Sequence, residues 1–102
     1  MGSNQVFAAV ADPTRRAILT LLREQDELAV GDIAINFPEM TRAAVSAHLR
    51  VLRTASLVSE QRRGQHRIYK LGDNKADDVI RFLMSVYADG VEEFVRNNNA
   101  DD

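Results

Sequence analysis

Apolar residues recur at the spacing of amphipathic helices in five segments of this 102-residue chain. Between the fourth and fifth segments, apolar and polar positions alternate instead, as is typical of strands. The pattern predicts helices over 4–11, 13–24, 30–36, 42–54 and 75–96, strands over 57–62 and 66–71, and a frayed polar tail over 97–102. With no repeat or linker between these elements, the sequence indicates a single domain over residues 1–102.

Local signals mark several of the boundaries. Asp12 is a good N-cap, and Pro13 follows at the first helical position, where a missing N–H group costs nothing. Pro38 ends the third helix, because its ring disfavours helical geometry in the residue before it. Thr41 is the expected N-cap of the fourth helix, and Gly64 supplies the turn between the two strands.

The order of the elements indicates a winged helix-turn-helix fold. The two short helices over 30–36 and 42–54, joined by a tight turn, form the helix-turn-helix, and the hairpin that follows forms the wing. In the second strand of the wing, Ile68 and Leu71 are the expected core residues. We therefore predict a mainly α fold with one β-hairpin, in which the helix over 42–54 is the recognition helix.

The distribution of charge points from this fold to a function. The chain as a whole has a net charge of −2, whereas residues 41–70 hold seven basic side chains against one acidic side chain. The segments on either side are acidic overall, and a basic block between acidic flanks is typical of a polyanion-binding surface. Because this basic block coincides with the recognition helix and the wing, the sequence predicts that the protein binds double-stranded DNA.

The candidate DNA contacts divide into those suited to phosphates and those suited to bases. The N-cap threonine and the arginines farther along the recognition helix and around the wing tip suit phosphates: these are Thr41, Arg50, Arg53, Arg62, Arg63 and Arg67. Residues near the start of the recognition helix suit base edges: these are Arg42, Ala43, Ser46 and Ala47. Gln65, in the wing turn, completes the set.

Two histidines leave alternatives open. His48 lies in the middle of the recognition helix, where it either bonds within the domain or contacts a phosphate or a base. His66 lies beside the wing turn, where solvent exposure and phosphate contact are the two alternatives. Because they lie on separate elements, the two histidines do not form a metal-binding pair.

The last predicted helix has a wider apolar face than one small domain needs. It either covers the core of its own subunit or forms an interface with a second copy, and we favour the interface. The residues expected to contact the second subunit from this helix are Val79, Phe82, Leu83, Val86, Tyr87 and Phe94.

Composition excludes several classes of function. The chain has no cysteine, which excludes disulfides, thiolate ligands and cysteine nucleophiles. It has no signal peptide and no apolar run long enough to cross a bilayer, so we expect a cytoplasmic protein that does not act at a membrane. Ser46 and His48 are two residues apart on a helix, do not face each other, and therefore cannot form a nucleophile–base pair. We expect neither an enzyme nor a bound cofactor or metal.

Four stretches of the sequence resemble the ArsR/SmtB family of winged-helix repressors, and in particular its metal-independent members. The stretches are VFAAVADPTRRAILTLL (6–22), LAVGDIA (28–34), VSAHLRVLRTASL (45–57) and RGQHRIYKL (63–71). The resemblance extends over about residues 4–95. Metal-sensing relatives carry a Cys-Val-Cys box at the positions of Ala29 and Gly31, so the departure here argues against metal sensing.

The resemblance implies a homodimer formed by the first and last helices, which adds Val6, Phe7 and Val10 to the expected interface. It also implies repression by occupation of a palindromic operator, often that of the repressor's own operon. The sequence carries no motif that identifies an inducer.

A winged helix used only for protein–protein contact is the competing hypothesis, because fold does not fix function. Charge placement separates the two hypotheses, since a protein-binding wing has no need of three arginines beside those of the recognition helix. DNA binding should also weaken steeply as salt is added.

Overall fold

The computed structural model of the protein describes residues 2–72 and 81–86. The elements in order are α1 (Gly2–Val10), α2 (Pro13–Gln25), β1 (Glu27–Ala29), α3 (Val30–Ile35), α4 (Arg42–Thr54), β2 (Val58–Arg63) and β3 (His66–Leu71). Residues 81–86 are helical, and the rest of the last predicted helix lies outside the described residues, as does the tail over 97–102. Helices α3 and α4 form the helix-turn-helix, and β2 and β3 form the wing, so the predicted fold class is confirmed.

The two longer helices begin at the predicted caps. The Asp12 carboxylate accepts a hydrogen bond of 3.0 Å from the backbone N–H of Arg15, with Pro13 as the first residue of α2. The Thr41 hydroxyl oxygen accepts a hydrogen bond of 3.0 Å from the backbone N–H of Ala44. Each cap satisfies an N–H group that has no partner within its own helix, and so fixes where the helix starts.

The strand β1 was not predicted, because residues 25–28 have the polar composition of a break between helices. It is three residues long and pairs antiparallel with β3, with Glu27 opposite Lys70 and Ala29 opposite Ile68. The sheet order is β1-β3-β2, so β1 occupies the edge of β3 that the hairpin leaves free. This pairing joins the wing directly to the segment that enters α3 and therefore restrains the wing relative to the helix-turn-helix.

The core lies between the helices and one face of this sheet. It is formed by residues from α1, α2, α3, α4 and the sheet: Val6, Ala9, Ile18, Leu22, Val30, Ile33, Val45, Leu49, Leu52, Ala55, Leu57, Val58 and Tyr69. The prediction that Leu71 points inward is wrong, since it is 41% exposed, and Ile68 is only half-buried. Tyr69 is the buried residue of β3, because alternation along a strand places it on the face opposite Ile68.

A close backbone approach after β3 makes Gly72 a sensitive position. A Cβ atom at residue 72 would lie 2.5 Å from the backbone oxygen of Ser56, while the Gly72 N–H donates to the carbonyl of Leu57 at 2.9 Å. Because two backbones must move apart to admit a methyl group, we expect Gly72→Ala to lower the free energy of unfolding by about 1–3 kcal/mol. Urea unfolding at a fixed protein concentration measures this change.

The matched control is Gly31→Ala in α3. A Cβ atom there would have its nearest neighbours in the Arg42 guanidinium group at 3.8 Å, an ordinary contact. Alanine is also the better helix former, so this variant should be at least as stable as the wild type. Equal stability of the two variants would contradict the steric explanation.

Candidate nucleic-acid interface

Helix α4 has one face in the core and the opposite face in solvent. The buried face holds Val45, Leu49 and Leu52. Ala43, Ala47 and Arg50, spaced four and three residues apart, share the exposed face. Because two of these side chains are methyl groups, the helix backbone can approach another surface closely.

Two arginines face each other across the wing. In the register of β2 and β3, Arg62 lies opposite Arg67, close to the turn at Gly64. Both lie on the same side of the hairpin as Glu60 and Tyr69, which are paired in the same register two residues farther from the tip. Like charges that lie directly opposite each other in a sheet are destabilising. The wing therefore keeps an arrangement that costs stability in the free protein and suits an anionic partner.

The exposed side of α4 and the wing enclose two clefts that bring arginines of both elements together. A cleft of about 450 Å³ is lined by residues that include Arg42, Ser46, Gln65 and Arg67. A second cleft of about 180 Å³ is lined by residues that include Ser46, Arg50 and Arg67. Ser46 and Arg67 line both clefts. The start of α4, its middle and the wing thus share one surface, which Asp32 and Glu60 also line.

Glu60 holds the wing against α4. Its carboxylate forms an ion pair with Arg53 at 3.0 Å and accepts a hydrogen bond from the Tyr69 hydroxyl. That hydrogen bond, followed by the charges of Arg53 and Arg67, lowers the pKa of Glu60 in spite of its partial burial. Glu60 is therefore ionised at neutral pH, and it neutralises Arg53 while it fixes Tyr69 in the core.

Arg63 is neutralised in a similar way on the other face of the wing. It donates to both carboxylate oxygens of Glu27 in β1, at 2.5 and 3.1 Å. The hydrogen bond from Arg63 lowers the pKa of Glu27, so the pair is charged at neutral pH. Arg63 thus ties the wing to β1 and contributes little free positive charge.

The structure therefore divides the six predicted arginines into two groups. Arg53 and Arg63 are paired with carboxylates. Within the part of the chain that the structure describes, the remaining four form no ion pair with a carboxylate: Arg42, Arg50, Arg62 and Arg67. We call these four the free arginines, because they form no such ion pair. They supply the positive charge of the interface.

Sequence reasoning missed Glu27 and Glu60 as parts of this surface. Glu60 carried a signal, since it is the one acidic residue in the basic block over 41–70. Glu27 carried none, because its partner is 36 residues away and belongs to a strand pairing that the sequence did not indicate.

Comparison with known proteins identifies the family. Over 82 residues, the chain is 39% identical to the transcriptional repressor SdpR of Bacillus subtilis (strain 168), in an alignment that covers 80% of this chain and 89% of SdpR. Residues 12–60 match the profile of the bacterial regulatory protein family arsR. The chain belongs to the ArsR family.

Solved structures of ArsR-type proteins have the same fold. An ArsR-like transcriptional regulator from Rhodococcus sp. RHA1 superposes with a TM-score of 0.70 and 25% identity, over 99% of this chain and 93% of that protein. The homodimeric winged helix-turn-helix DNA-binding domain of Mb0332 from Mycobacterium bovis superposes with a TM-score of 0.65 and 34% identity, over 86% of this chain and 79% of that chain. The resemblance deduced from the sequence motifs is thus confirmed.

His48 of this ArsR-family protein bonds within the domain. Its Nδ1 atom lies 3.3 Å from a guanidinium nitrogen of Arg15 in α2 and 3.9 Å from the Asp12 carboxylate, and its side chain is 20% exposed. Of the two alternatives that the sequence left open, the structure therefore shows the internal contact. His66 is exposed beside the wing turn.

The residues predicted for the dimer interface differ in their exposure. Phe7, Phe82 and Val86 are 42%, 59% and 54% exposed, and Leu83 is 36% exposed. Val6 differs from the expectation, because it packs inside the core of its own subunit at 4% exposure. Val10 is half-buried against that core. The other three expected contacts lie outside the described residues: Val79, Tyr87 and Phe94.

The described residues form neither a metal site nor a membrane-spanning helix. Among the described residues, no group of three His, Cys, Asp or Glu side chains has the arrangement of a metal site. Ala29 is the N-cap of α3 and Gly31 lies in its first turn, and neither residue has a side-chain ligand atom. Over the same ranges, every helix is too short or too polar to cross a bilayer.

Proposed function

We propose that this protein is a transcriptional repressor that binds double-stranded DNA as a homodimer at a palindromic operator, including that of its own operon. One observation carries the proposal: Arg42, Arg50 and Arg67 line one pair of clefts between α4 and the wing, Arg62 lies opposite Arg67 in the hairpin, and none of the four forms an ion pair with a carboxylate in the described part of the chain. A regulator that binds bacterial DNA acts in the cytoplasm, which is the compartment we propose.

The chemistry of DNA explains why this surface has its composition. Phosphates attract guanidinium groups, and the counterions that they displace contribute much of the binding free energy. The methyl side chains of Ala43 and Ala47 allow α4 to enter the major groove and can contact a thymine methyl group. We assign Arg50 to a phosphate, and the wing residues Arg62 and Arg67 to phosphates or to the adjacent minor groove. A further phosphate is held by Thr41 and the first amides of α4.

Arg42 and Ser46 are assigned to base edges. Both lie in the first turns of α4 and line the larger cleft, and the Arg42 guanidinium packs beside Gly31 of α3. An arginine in this part of a recognition helix can donate two hydrogen bonds to guanine O6 and N7. Ser46 can donate to or accept from any base edge.

The homodimer is supported by the exposed apolar side chains of Phe7, Phe82 and Val86, and by the homodimeric state of the Mb0332 domain. Two-fold symmetry places the two recognition helices in successive major grooves, about 34–36 Å apart, and so requires a palindromic site. An interface specialised for protein would not need arginines that lie directly opposite each other in the wing.

Selection of bound duplexes from a random pool tests the proposal. The wild-type protein should enrich a palindrome with half-sites centred about 10 base pairs apart. Arg42→Ala should lose preference at one base pair in each half-site, at a cost of about 1–3 kcal/mol, whereas Arg50→Ala should weaken binding to all sequences alike. Recovery of unenriched sequences by the wild-type protein would contradict specific recognition.

A further inference from the structure

The C-terminal end of α1 is bound by arginines from the next helix. Arg15 Nε donates to the carbonyl oxygen of Ala9 at 2.7 Å, and Arg15 Nη2 donates to that of Ala8 at 3.1 Å. The last carbonyl groups of a helix have no partner within it and carry partial negative charge. Because α1 has no basic residue in its last turn, Arg15 supplies both the donors and the charge that this end needs.

Arg15 also reaches the recognition helix. Its Nη1 atom lies 3.3 Å from His48 Nδ1. A guanidinium group can only donate, so His48 Nδ1 must accept and carries no proton in this arrangement. The Asp12 carboxylate completes the cluster, since it accepts from the Arg15 backbone N–H at 3.0 Å and lies 3.9 Å from the same His48 nitrogen.

His48 is adjacent to the exposed face of α4. Ala47 precedes it on that face, Leu49 follows it in the core, and the His48 ring itself is mostly covered. The position of the His48 ring therefore affects how α4 is rotated about the axis of that helix. It also affects the distance between α4 and α1. Arg15 links this ring to the end of α1, which carries Phe7 on its exposed side.

We propose that Arg15 is a positioning residue for DNA binding, which sets the orientation of α4 relative to α1 through its hydrogen bond to neutral His48. This inference rests on the proposed function, because it concerns how the recognition helix is presented to DNA. It assigns His48 to orienting the helix and not to contacting phosphate.

Protonation of His48 should disrupt this arrangement. A proton on Nδ1 removes the acceptor and places an imidazolium group beside the Arg15 guanidinium, while it favours a contact with Asp12 instead. Among the described residues, the charged groups that contact His48 are Asp12, the N-cap of α2, and Arg15 of α2, and the residues of α1, 2–10, include no titratable side chain. Acid should therefore weaken the connection between α1 and α4.

Arg16 provides a matched control, because it makes similar bonds to α1 but is not bonded to His48. Its Nη1 atom donates to the carbonyls of Val10 and Ala11 at 2.7 and 3.1 Å. A lysine ammonium has its three donors on one nitrogen, so it cannot reproduce the three separate nitrogens with which Arg15 contacts two carbonyls and an imidazole. We expect Arg15→Lys to weaken binding to the selected operator about tenfold and Arg16→Lys to change it less than about twofold, with similar losses of thermal stability.

The outcomes separate this inference from the function on which it rests. Equal operator affinities for the two lysine variants, in the presence of normal binding by the wild type, would overturn the positioning role alone. A wild-type protein that binds no duplex would overturn the proposed function and this inference with it.

The pH profile gives a second, independent test in variants that keep Arg15. His48→Asn places an amide oxygen near the position of Nδ1 and so keeps an acceptor that does not titrate. Acidification that protonates His48 should lower the operator affinity of the wild type relative to that of His48→Asn. A relative gain in wild-type affinity at low pH would show that charged His48 binds phosphate, and an unchanged ratio would show no coupling; either result would overturn the proposal.

Discussion

Replacing both Arg62 and Arg67 by glutamine is expected to weaken operator binding by about a hundredfold or more while it changes the stability of the free protein little. The loss of affinity follows because the variant removes two charged donors to phosphate from each wing, four from a dimer. The effect on stability is small because two contributions oppose each other: the variant removes the repulsion between Arg62 and Arg67 and also the attraction between Arg67 and the Glu60 carboxylate. The free energy of unfolding should therefore change by less than about 0.5 kcal/mol. Anisotropy titration with labelled operator and urea unfolding measure the two effects.

Arg63→Gln is the matched control at the same wing tip. Arg63 is already bonded to Glu27, so its replacement should affect DNA binding much less, and it should lower stability because Glu27 loses its partner. The two variants thus differ in their effect on stability as well as in their effect on affinity. If Arg63→Gln weakened binding as strongly as the double variant, the division between paired and free arginines would have no functional meaning.

Introducing a charge at Phe82 is expected to separate the proposed dimer. The Phe82 side chain is 59% exposed in the single subunit, so Phe82→Glu should leave the subunit folded. In a dimer the same carboxylate would be buried without a partner, and the dimer dissociation constant should rise by at least about a hundredfold. Operator affinity should fall with it, because each half-site must then be bound separately. Analytical ultracentrifugation measures the dissociation constant.

Met84→Glu is the control on the same helical segment. Met84 is 49% exposed, but at 100° per residue it lies on the side opposite Phe82 and Val86. This variant should remain dimeric at the concentration at which Phe82→Glu is monomeric. A wild-type protein that sediments as a monomer at micromolar concentration would contradict the proposed interface.

The parts of this fold that the sequence predicted are those governed by neighbours along the chain. Asp12 and Thr41 are caps for the residues three positions ahead, and the apolar stripe of α4 follows from a spacing of three and four residues. The wing was predictable because its two strands are joined by a short turn at Gly64. In each case the determining interaction spans a few residues, and residue type alone identifies it.

The parts that the sequence did not predict depend on contacts between distant segments. The strand β1 has three residues and follows a polar break, and it forms because β3 has a free edge. The pairing of Arg63 with Glu27 depends on that strand, and the bond between Arg15 and His48 joins residues 33 positions apart. The total charge of residues 41–70 therefore indicated a DNA-binding surface, whereas the structure was needed to distinguish free arginines from paired ones.

The most direct test of the central claim is the salt dependence of operator binding by the wild-type protein. If Arg50, Arg62 and Arg67 each meet one phosphate, a dimer makes six such contacts, and the logarithm of the association constant should fall against the logarithm of salt concentration with a slope of about −5. Thr41 and the amides of α4 carry no net charge and should add little. A slope near zero would show that these arginines do not bind the DNA backbone.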